Sequence, residues 1–309
     1  ALFEFSRFAI GRYSTIDSFL ILFLTLAALC LWCACDRQDW RDGWRLSGPL
    51  CLAGLFLGSA IATKWNALYF GLGVFLLFAV ALWPRGENLP AWWSQNRARL
   101  AGATLALGAV PLAVYLLSYI PFLHCLPHQP SLFSGEGLAQ VWKSQKDMFD
   151  YHAKLTSTHP FSSAFYTWPL LLKPLWLVID DLPGARSSIT LLGNPVVCWG
   201  GLLVVLGLAF RALQGLSRES VLILGSIAAL YLPWAAVSRI SFIYHYYPVI
   251  PFLILALAVW LARLDLAVPR QRWLPLAVVG AAGVLFIWFF PAISGWPVDP
   301  AWLQSLRWL

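Results

Sequence analysis

The chain has 309 residues, of which 60% are hydrophobic and only 11% are charged, and its formal net charge is +7. Ordinary soluble domains carry about 25% charged residues, so this composition excludes a typical soluble globular protein. Nucleic acid is not expected as a partner either. A nucleic-acid-binding face needs clustered basic residues, whereas the arginines here are scattered over short stretches between apolar runs.

Several apolar runs reach the roughly 20 residues that a helix needs to cross a bilayer. They predict an all-α fold, a polytopic transmembrane helical bundle with about eight spans. The run at residues 49–83 would make a single helix of roughly 52 Å, too long for one span, so we expect it to break near residues 62–66. The other spans are predicted at residues 18–35, 100–123, 194–213, 219–238, 246–264 and 276–294, and residues 85–99 are predicted as a polar loop.

The stretch between residues 124 and 193 is the most polar part of the chain. It holds four of the five histidines and four of the five lysines. We therefore expect three segments: transmembrane helices at 1–123, an extracytoplasmic loop at 124–193, and transmembrane helices at 194–309. Apolar residues recur at helical spacing from Leu138 to Phe149, which predicts an amphipathic helix in the membrane interface. Residues 166–179 are apolar but too short to span, and are predicted as a re-entrant or interfacial segment.

The arginines give the orientation of the spans. Short cytoplasmic loops of membrane proteins are enriched in Lys and Arg. Placing the charged loop at residues 36–45 in the cytoplasm and alternating from there brings eleven of the sixteen arginines inside: Arg37, Arg41, Arg45, Arg85, Arg97, Arg99, Arg211, Arg218, Arg263, Arg270 and Arg272. All five histidines and all five lysines then lie on the outer side, together with Arg12, Asp17 and Arg239. The groups able to bind a phosphate or move a proton are therefore predicted on one face.

Lys64 lies at the predicted outer turn between two short helices. A lysine at membrane depth is costly and is a functional candidate, here as a point charge for the phosphate of a lipid carrier. The alternative is a lysine that extends from a helix end to the interface. Arg12 and Asp17 precede the first span, and they are candidates for binding or for a simple pair with each other.

Tyr244, His245 and Tyr246 lie at the outer end of a span, beside Arg239. Tyrosines with an arginine suit an anionic sugar phosphate, although an aromatic belt at the interface would have the same composition. His152 and His159 belong to the central loop and are candidates for the same pocket.

Asp147 and Asp150 are one helical turn apart, so they share a face. They are candidates for an acid and base pair, or for the solvated face of the amphipathic helix. The spacing of His124, His128, His152 and His159 matches no zinc pattern. We expect neither a metal nor another cofactor.

Several blocks of the chain resemble the prokaryotic protein O-mannosyltransferases, which are polyprenyl-phosphate-mannose-dependent enzymes of the GT-C class. The resemblance is carried by MFDYHAKLTSTHPFSSAFYTWPLLLKPLW, LLGNPVVCWGG, GRYSTIDSFLILF, GSAIATKWNALYFG and FIYHYYPVIPF. It implies a GT-C-like bundle with an extracytoplasmic active face, in an inner cell membrane of a bacterium. It also implies transfer of mannose from a polyprenyl-phosphate donor to Ser or Thr of a translocated protein. Lys64 and Arg12 would then contact the phosphate. The substrate pocket would be formed by Asp17, His152, His159, Tyr244, His245 and Tyr246.

The family's catalytic acidic pair lies in an outer loop that would precede Ala1. We therefore expect the N-terminal part of the family pattern to be missing, no residue here to act as the base, and the chain to be inactive alone. Three alternatives remain open. One is a GT-C transferase that moves another sugar, such as aminoarabinose, to a lipid or glycan. The others are a transporter or flippase, which would show charges inside its spans, and a non-catalytic membrane subunit.

Overall fold

The structure is a computed structural model, and it describes residues 1–35, 46–81 and 88–306. The chain forms two compact units, and each is described by itself. The terminal unit joins Ala1–Ser18 to Thr158–Leu309, and the middle unit is Phe19–Ser157. The predicted division into segments at residues 123 and 193 concerns membrane topology, and it stays a prediction.

The middle unit consists of helices. Helix α2 begins in the terminal unit and runs through the first part of the middle unit. The helices are α2 (Asp17–Ala34), α3 (Gly48–Thr63), α4 (Ala67–Ala81), α5 (Leu89–Thr104), α6 (Val110–Leu117), α7 (Ile120–His124) and α8 (Gly135–Lys154). The predicted break in the long apolar run is confirmed, because α3 ends at Thr63 and α4 begins at Ala67.

Helix α3 packs closely against the region around α6. A Cβ atom on Gly54 would collide with the carbonyl oxygen of Ala106, and one on Gly58 would lie 2.8 Å from the Cα of Pro111. Small residues at such positions let two apolar helices approach until their backbones touch. This contact fixes the end of α3, and therefore the start of the polar turn that follows it, relative to α6.

The helix that enters this contact is longer than predicted. Residues 89–99 were expected in a polar loop, but helix begins at Leu89, where the Asn88 side chain accepts a hydrogen bond from the Ala91 N–H at 2.9 Å. The capping side chain and Pro90 explain the early start. A π-helical turn at Leu105–Ala109 precedes Pro111. This turn accommodates the lack of a backbone N–H on the proline, and helical structure follows in α6 and α7 up to His124.

Helix α8 confirms the predicted amphipathic helix. It begins after Ser134, whose hydroxyl accepts a hydrogen bond from the Gly137 N–H at 3.0 Å. Val141 is buried in a small core with Leu123 and Leu132, whereas Trp142 is 74% exposed. One face of the helix therefore packs on the middle unit, and an adjoining apolar stripe faces outward. The position of that stripe in a membrane interface stays a prediction.

The terminal unit combines helices with one β-hairpin. Its elements are α1 (Phe5–Tyr13), β1 (Leu175–Leu182), β2 (Ala185–Leu191), α9 (Pro195–Ala212), α10 (Arg218–Tyr231), α11 (Ile250–Ala262), α12 (Leu274–Ser294) and α13 (Pro300–Ser305), with 3₁₀ turns at Phe165–Thr167, Leu232–Ala236 and Ile243–Val249. Strand β2 packs on α12, and the hairpin edge continues through paired hydrogen bonds between Arg186 and Val298, at 2.8 and 3.1 Å.

A β-hairpin lies in the region predicted as a re-entrant or interfacial segment, residues 166–179. This region holds a 3₁₀ turn and then most of β1, which pairs antiparallel with β2, and its position relative to a membrane stays a prediction. The two strands meet at Pro183 and Gly184, and Gly184 has a φ of +74°. Proline followed by a residue with positive φ is a turn signal. The β-branched and aromatic residues of β1 suit a strand.

Among the described residues, six helical segments are long and apolar enough to cross a membrane: Asp17–Ala34, Leu89–His124, Pro195–Ala212, Arg218–Ala236, Ile243–Ala262 and Leu274–Ser294. Two shorter apolar helices, Gly48–Thr63 and Ala67–Val80, bring the described set to the predicted number of about eight. Four of the arginines used for orientation, Arg37, Arg41, Arg45 and Arg85, lie outside the described residues.

Candidate functional site

In the terminal unit, the polar and aromatic residues before α11 fold into the 3₁₀ turn Ile243–Val249. His245 and Tyr246 are each only 3% exposed. Tyr246 packs against Tyr231 of α10, with ring centroids 5.6 Å apart. The sequence predicted these side chains at the outer end of a span, and in the structure both are buried in the packing of this turn against α10 and α11. A role for Tyr246 in binding therefore stays a prediction.

His245 lies inside a cluster of aromatic rings. Its centroid is 4.1 Å from those of Trp234 and Tyr244, and it stacks on Trp168 at 5.9 Å. The Nδ1 atom accepts a hydrogen bond from the Phe242 N–H at 3.2 Å. Backbone and rings together fix the orientation of this imidazole.

His159 joins the same cluster from the preceding loop. Its ring lies 5.3 Å from that of Phe242, which in turn stacks on Tyr244 at 5.7 Å. The two segments are held together because the Ser163 N–H donates to the Ser241 carbonyl at 2.9 Å and the Ser241 hydroxyl donates back at 3.0 Å. The structure thus brings His159, Tyr244 and His245 together.

Asp17 also belongs to this region. It is 7% exposed at the start of α2, and its carboxylate interacts electrostatically with the hydroxyls of Tyr244 and Tyr247. Arg239 interacts with Tyr244 in the same way. The resemblance placed Asp17 and Tyr244 in one substrate pocket, but the residues alone gave no reason for a contact, because more than 200 residues separate the two along the chain.

Arg12 lies in the last turn of α1 and is exposed, with its guanidinium 5.7 Å from the centroid of the Phe8 ring. A cation over an aromatic face is a favourable arrangement that leaves the outward side of the guanidinium accessible. Nearby in the chain, the buried Thr15 hydroxyl has no hydrogen-bond partner within the described part of the protein.

Sequence reasoning missed Glu4, which is fully buried. Its carboxylate accepts hydrogen bonds from the Arg7 N–H at 2.8 Å and the Asn194 N–H at 3.2 Å. Burial raises the pKa of Glu4, and the hydrogen bonds from Arg7, Asn194 and Ser6 act against that rise. Asn194 in turn donates to the carbonyls of Phe3 and Ala282, at 2.7 and 3.0 Å. The available signal was a glutamate inside an otherwise apolar opening segment.

The middle unit holds the other two candidates, Lys64 and His152. Lys64 follows the last residue of α3 in an extended conformation, and its N–H donates to the Ala60 carbonyl at 2.9 Å. Two residues later, the buried Oδ1 of Asn66 has no donor among the described residues. His152 is exposed on α8, edge-on to Tyr151 at 5.2 Å.

The two aspartates of α8 form ion pairs on its surface. Asp147 lies 3.9 Å from Lys143, and Asp150 lies 3.8 Å from Lys154. Both aspartates are solvent-accessible, so this geometry favours the solvated-face interpretation over an acid and base pair. Within residues 1–35, 46–81 and 88–306, no group of three His, Cys, Asp or Glu side chains is placed to hold a metal ion.

Comparison with known proteins identifies the family. Residues 138–309 match the sequence model described as the C-terminal four TMM region of protein-O-mannosyltransferase. Residues 1–126 match the model described as dolichyl-phosphate-mannose-protein mannosyltransferase. Together the two models cover nearly the whole chain.

Among curated relatives, the polyprenol-phosphate-mannose–protein mannosyltransferase of Mycolicibacterium smegmatis is 28% identical over 363 aligned positions, covering 97% of this chain and 69% of the relative. The protein of the same description from Mycobacterium tuberculosis is 28% identical, covering 97% and 68%. A Saccharomyces cerevisiae structure, the protein O-mannosyltransferase Pmt1-Pmt2 complex bound to the sugar donor, has a TM-score of 0.71 at 14% identity. The aligned region covers 99% of this chain and 75% of the yeast chain. The predicted fold class and resemblance are confirmed: the chain belongs to the protein O-mannosyltransferase family, whose bacterial relatives are polyprenol-phosphate-mannose–protein mannosyltransferases.

Proposed function

We propose that this protein transfers mannose from a polyprenyl-phosphate carrier to serine or threonine hydroxyls of translocated proteins. The observation that carries the proposal is the match of both family models along the chain, at residues 1–126 and 138–309. The proposed location is the bacterial cell membrane, with the active face on the extracytoplasmic side. The arginine distribution supports that orientation, because it assigns the lysines and histidines to the outer face.

The reaction proposed is an inverting displacement. The acceptor hydroxyl loses its proton to a carboxylate and attacks the anomeric carbon, while the bond from that carbon to the phosphate oxygen breaks. The electron pair of the broken bond stays on the departing lipid phosphate, and cations stabilise the charge. No residue of this chain is assigned as the base.

Arg12 and Lys64 are the proposed phosphate contacts. Arg12 presents an exposed guanidinium held over the Phe8 ring at 5.7 Å, and guanidinium groups bind phosphate oxygens in a bidentate manner. Lys64 presents an ammonium group from the turn between α3 and α4, which acts as a point charge.

His159, Tyr244 and His245 are proposed to shape the pocket for the sugar and acceptor in the terminal unit. Their rings are already held by neighbours, so little side-chain entropy would be lost on binding. Asp17 is proposed to orient the hydroxyl of Tyr244, with which it interacts. His152 and Tyr246 are the remaining proposed binding residues, on the basis of their positions in the resembling blocks.

The test is deletion of the gene in the source organism, with mass spectrometry of its exported proteins. Loss of hexose from Ser and Thr residues is expected, with recovery when the wild-type gene is returned. Return of a Lys64→Ala gene should restore hexose only in part. Exported proteins that keep their full hexose content after deletion would overturn the proposal.

A further inference from the structure

Three side chains of the middle unit form a closed ring of hydrogen bonds close to Lys64. The Tyr115 hydroxyl donates to the Gln145 Oε1 at 2.5 Å, and the Gln145 Nε2 donates to the Tyr119 hydroxyl at 2.8 Å. The two tyrosine hydroxyls are 3.2 Å apart. Because the proton of Tyr115 is already given to Gln145, Tyr119 must be the donor in that last contact.

One further hydrogen bond connects this ring to the turn that carries Lys64. The Trp65 indole N–H donates to the Tyr115 hydroxyl at 2.9 Å. Tyr115 therefore donates once and accepts twice, which uses the full capacity of a hydroxyl group. Trp65 directly follows Lys64, so the Tyr115 hydroxyl fixes the residue beside the proposed phosphate contact.

Within the described residues, the backbone hydrogen bonds of the turn do not connect it to another part of the middle unit. Its backbone carbonyls at Lys64 and Trp65 accept from Ala67 and Leu68, at 3.0 and 2.9 Å, and these bonds only start the next helix. The buried Asn66 Oδ1 lacks a donor in the described part of the chain. Among the side chains of Trp65 and Asn66, only the indole contributes a tertiary hydrogen bond in this part of the chain, and it ends on Tyr115.

The other side of the ring belongs to α8. Gln145 also donates to the Val141 carbonyl of its own helix at 3.0 Å, and Val141 is buried against Leu123 and Leu132. The amide is therefore fixed by the packing of α8. A path of hydrogen bonds runs from this helix through Gln145, Tyr115 and Trp65 to the turn.

We propose that Tyr115, Gln145 and Trp65 are positioning residues for the lipid-linked phosphate of the donor, because they connect α8 to the turn that carries Lys64. This inference rests on the proposed function, in which Lys64 contacts that phosphate. Tyr119 completes the ring but does not lie between Gln145 and Trp65. Its hydroxyl therefore matters less than that of Tyr115.

The experiment measures the affinity of membranes containing the full chain for polyprenyl phosphate, by competition with a photoreactive polyprenyl-phosphate analogue. Tyr115→Phe and Trp65→Phe should each weaken the affinity about tenfold, the usual size of losing one organising hydrogen bond. Tyr119→Phe should have a smaller effect. Ser144→Ala is the matched control, because among the described residues its hydroxyl binds only the Gln140 carbonyl of α8, at 3.0 Å, and it should leave the affinity unchanged.

A second set of variants separates positioning from general stability. In a Lys64→Ala background, Tyr115→Phe and Trp65→Phe should cause no further loss, because they act through the lysine. An equal loss in both backgrounds, no effect of Lys64→Ala, or unchanged affinity in both ring variants would overturn the proposal. Thermal unfolding identifies a misfolded Tyr115→Phe protein, and Trp65→Phe then decides the outcome.

The two proposals fail in different ways. If the coupling to Lys64 is found while exported proteins keep their hexose after gene deletion, the positioning role stands and the mannosyl transfer falls. If hexose is lost but the ring variants bind the carrier normally, the transfer stands and the positioning role falls.

Discussion

The two units of the protein hold their candidate residues by different means. In the terminal unit, the His245 imidazole is surrounded by Trp168, Trp234 and Tyr244 and is almost completely buried. In the middle unit, the turn with Lys64 is tied to the half-buried Tyr115 hydroxyl. The stability of an aromatic cluster depends on how well the side chains fill the available volume, whereas the stability of a hydrogen-bond network depends on single polar atoms. The two regions should therefore respond to different kinds of substitution.

The largest expected effect is on the packed cluster. Trp168 is 1% exposed, and its indole N–H donates to the Ser163 hydroxyl at 2.9 Å. Trp168→Ala should lower the free energy of unfolding by about 3–5 kcal/mol, since it leaves a large cavity. Denaturation followed by fluorescence in detergent measures this value. Trp142→Ala, at a position 74% exposed, is the control, and equal losses in both variants would contradict the importance of packing.

A smaller loss is expected where the terminal unit depends on polar atoms rather than rings. Asn194→Ala removes the donors to the Phe3 and Ala282 carbonyls and the acceptor for the Val196 N–H. We expect a loss of about 2–3 kcal/mol from buried carbonyls without partners and from the lost helix cap. Asn194→Asp keeps the cap acceptor but not the donors, so it should recover only part of the stability. Full recovery would show that the buried carbonyls contribute little.

The buried carboxyl beside it adds a dependence on pH. Burial raises the pKa of Glu4 above its ordinary value of 4.5, so the folded protein holds this proton more tightly than the unfolded chain. Its contribution to stability is present below the unfolded pKa and is lost as pH rises through the folded pKa. The effect should be modest, because hydrogen bonds to Glu4 oppose the rise.

Thermal unfolding of wild type and Glu4→Gln in detergent, between about pH 4 and pH 8, tests this sign. The difference in melting temperature between the two proteins should change over that range in favour of the glutamine variant as pH rises. A constant difference, or one of opposite sign, would contradict the direction of the pKa change.

The smallest effect is expected on the exposed side of α8. Asp147 and Lys143 are 3.9 Å apart, and both side chains are about two-thirds exposed. Asp147→Asn should therefore change the free energy of unfolding by no more than about 0.5 kcal/mol. Donor affinity should also stay unchanged, in contrast to Tyr115→Phe on the inner side of the same unit. A loss of mannosyl transfer without a change in stability would restore the acid and base hypothesis for this carboxylate.

The sequence predicted most of the helices and the family, because long apolar runs and a polar turn such as Lys64–Trp65–Asn66 are local signals. Residues 89–99 were misread because their polar composition indicated a loop, whereas the Asn88 cap and Pro90 start a helix there. The hairpin was missed because the apolar run before Asp180 is too short to distinguish a strand from an interfacial segment. The pairing partner that decides it lies across Gly184.

The candidate residues were predicted by type but not by neighbourhood. His159, Tyr244 and His245 come together where Ser163 and Ser241 are hydrogen-bonded to each other, a contact between residues 78 positions apart. The ring of Tyr115, Tyr119 and Gln145 requires a particular rotation of α8, which amphipathic spacing does not specify. Glu4 was passed over because its partner Asn194 is 190 residues away.

That distance has a consequence for synthesis. Helix α1 rests on α12 and β2, and Glu4 binds the N–H of a residue 190 positions later. At roughly 5–20 residues per second, the ribosome needs about 10–40 s to make the intervening chain. During that time the glutamate and the three phenylalanines near the start of the sequence lack their final contacts. Assembly of the terminal unit is therefore delayed until Asn194 and helix α12 have been synthesised.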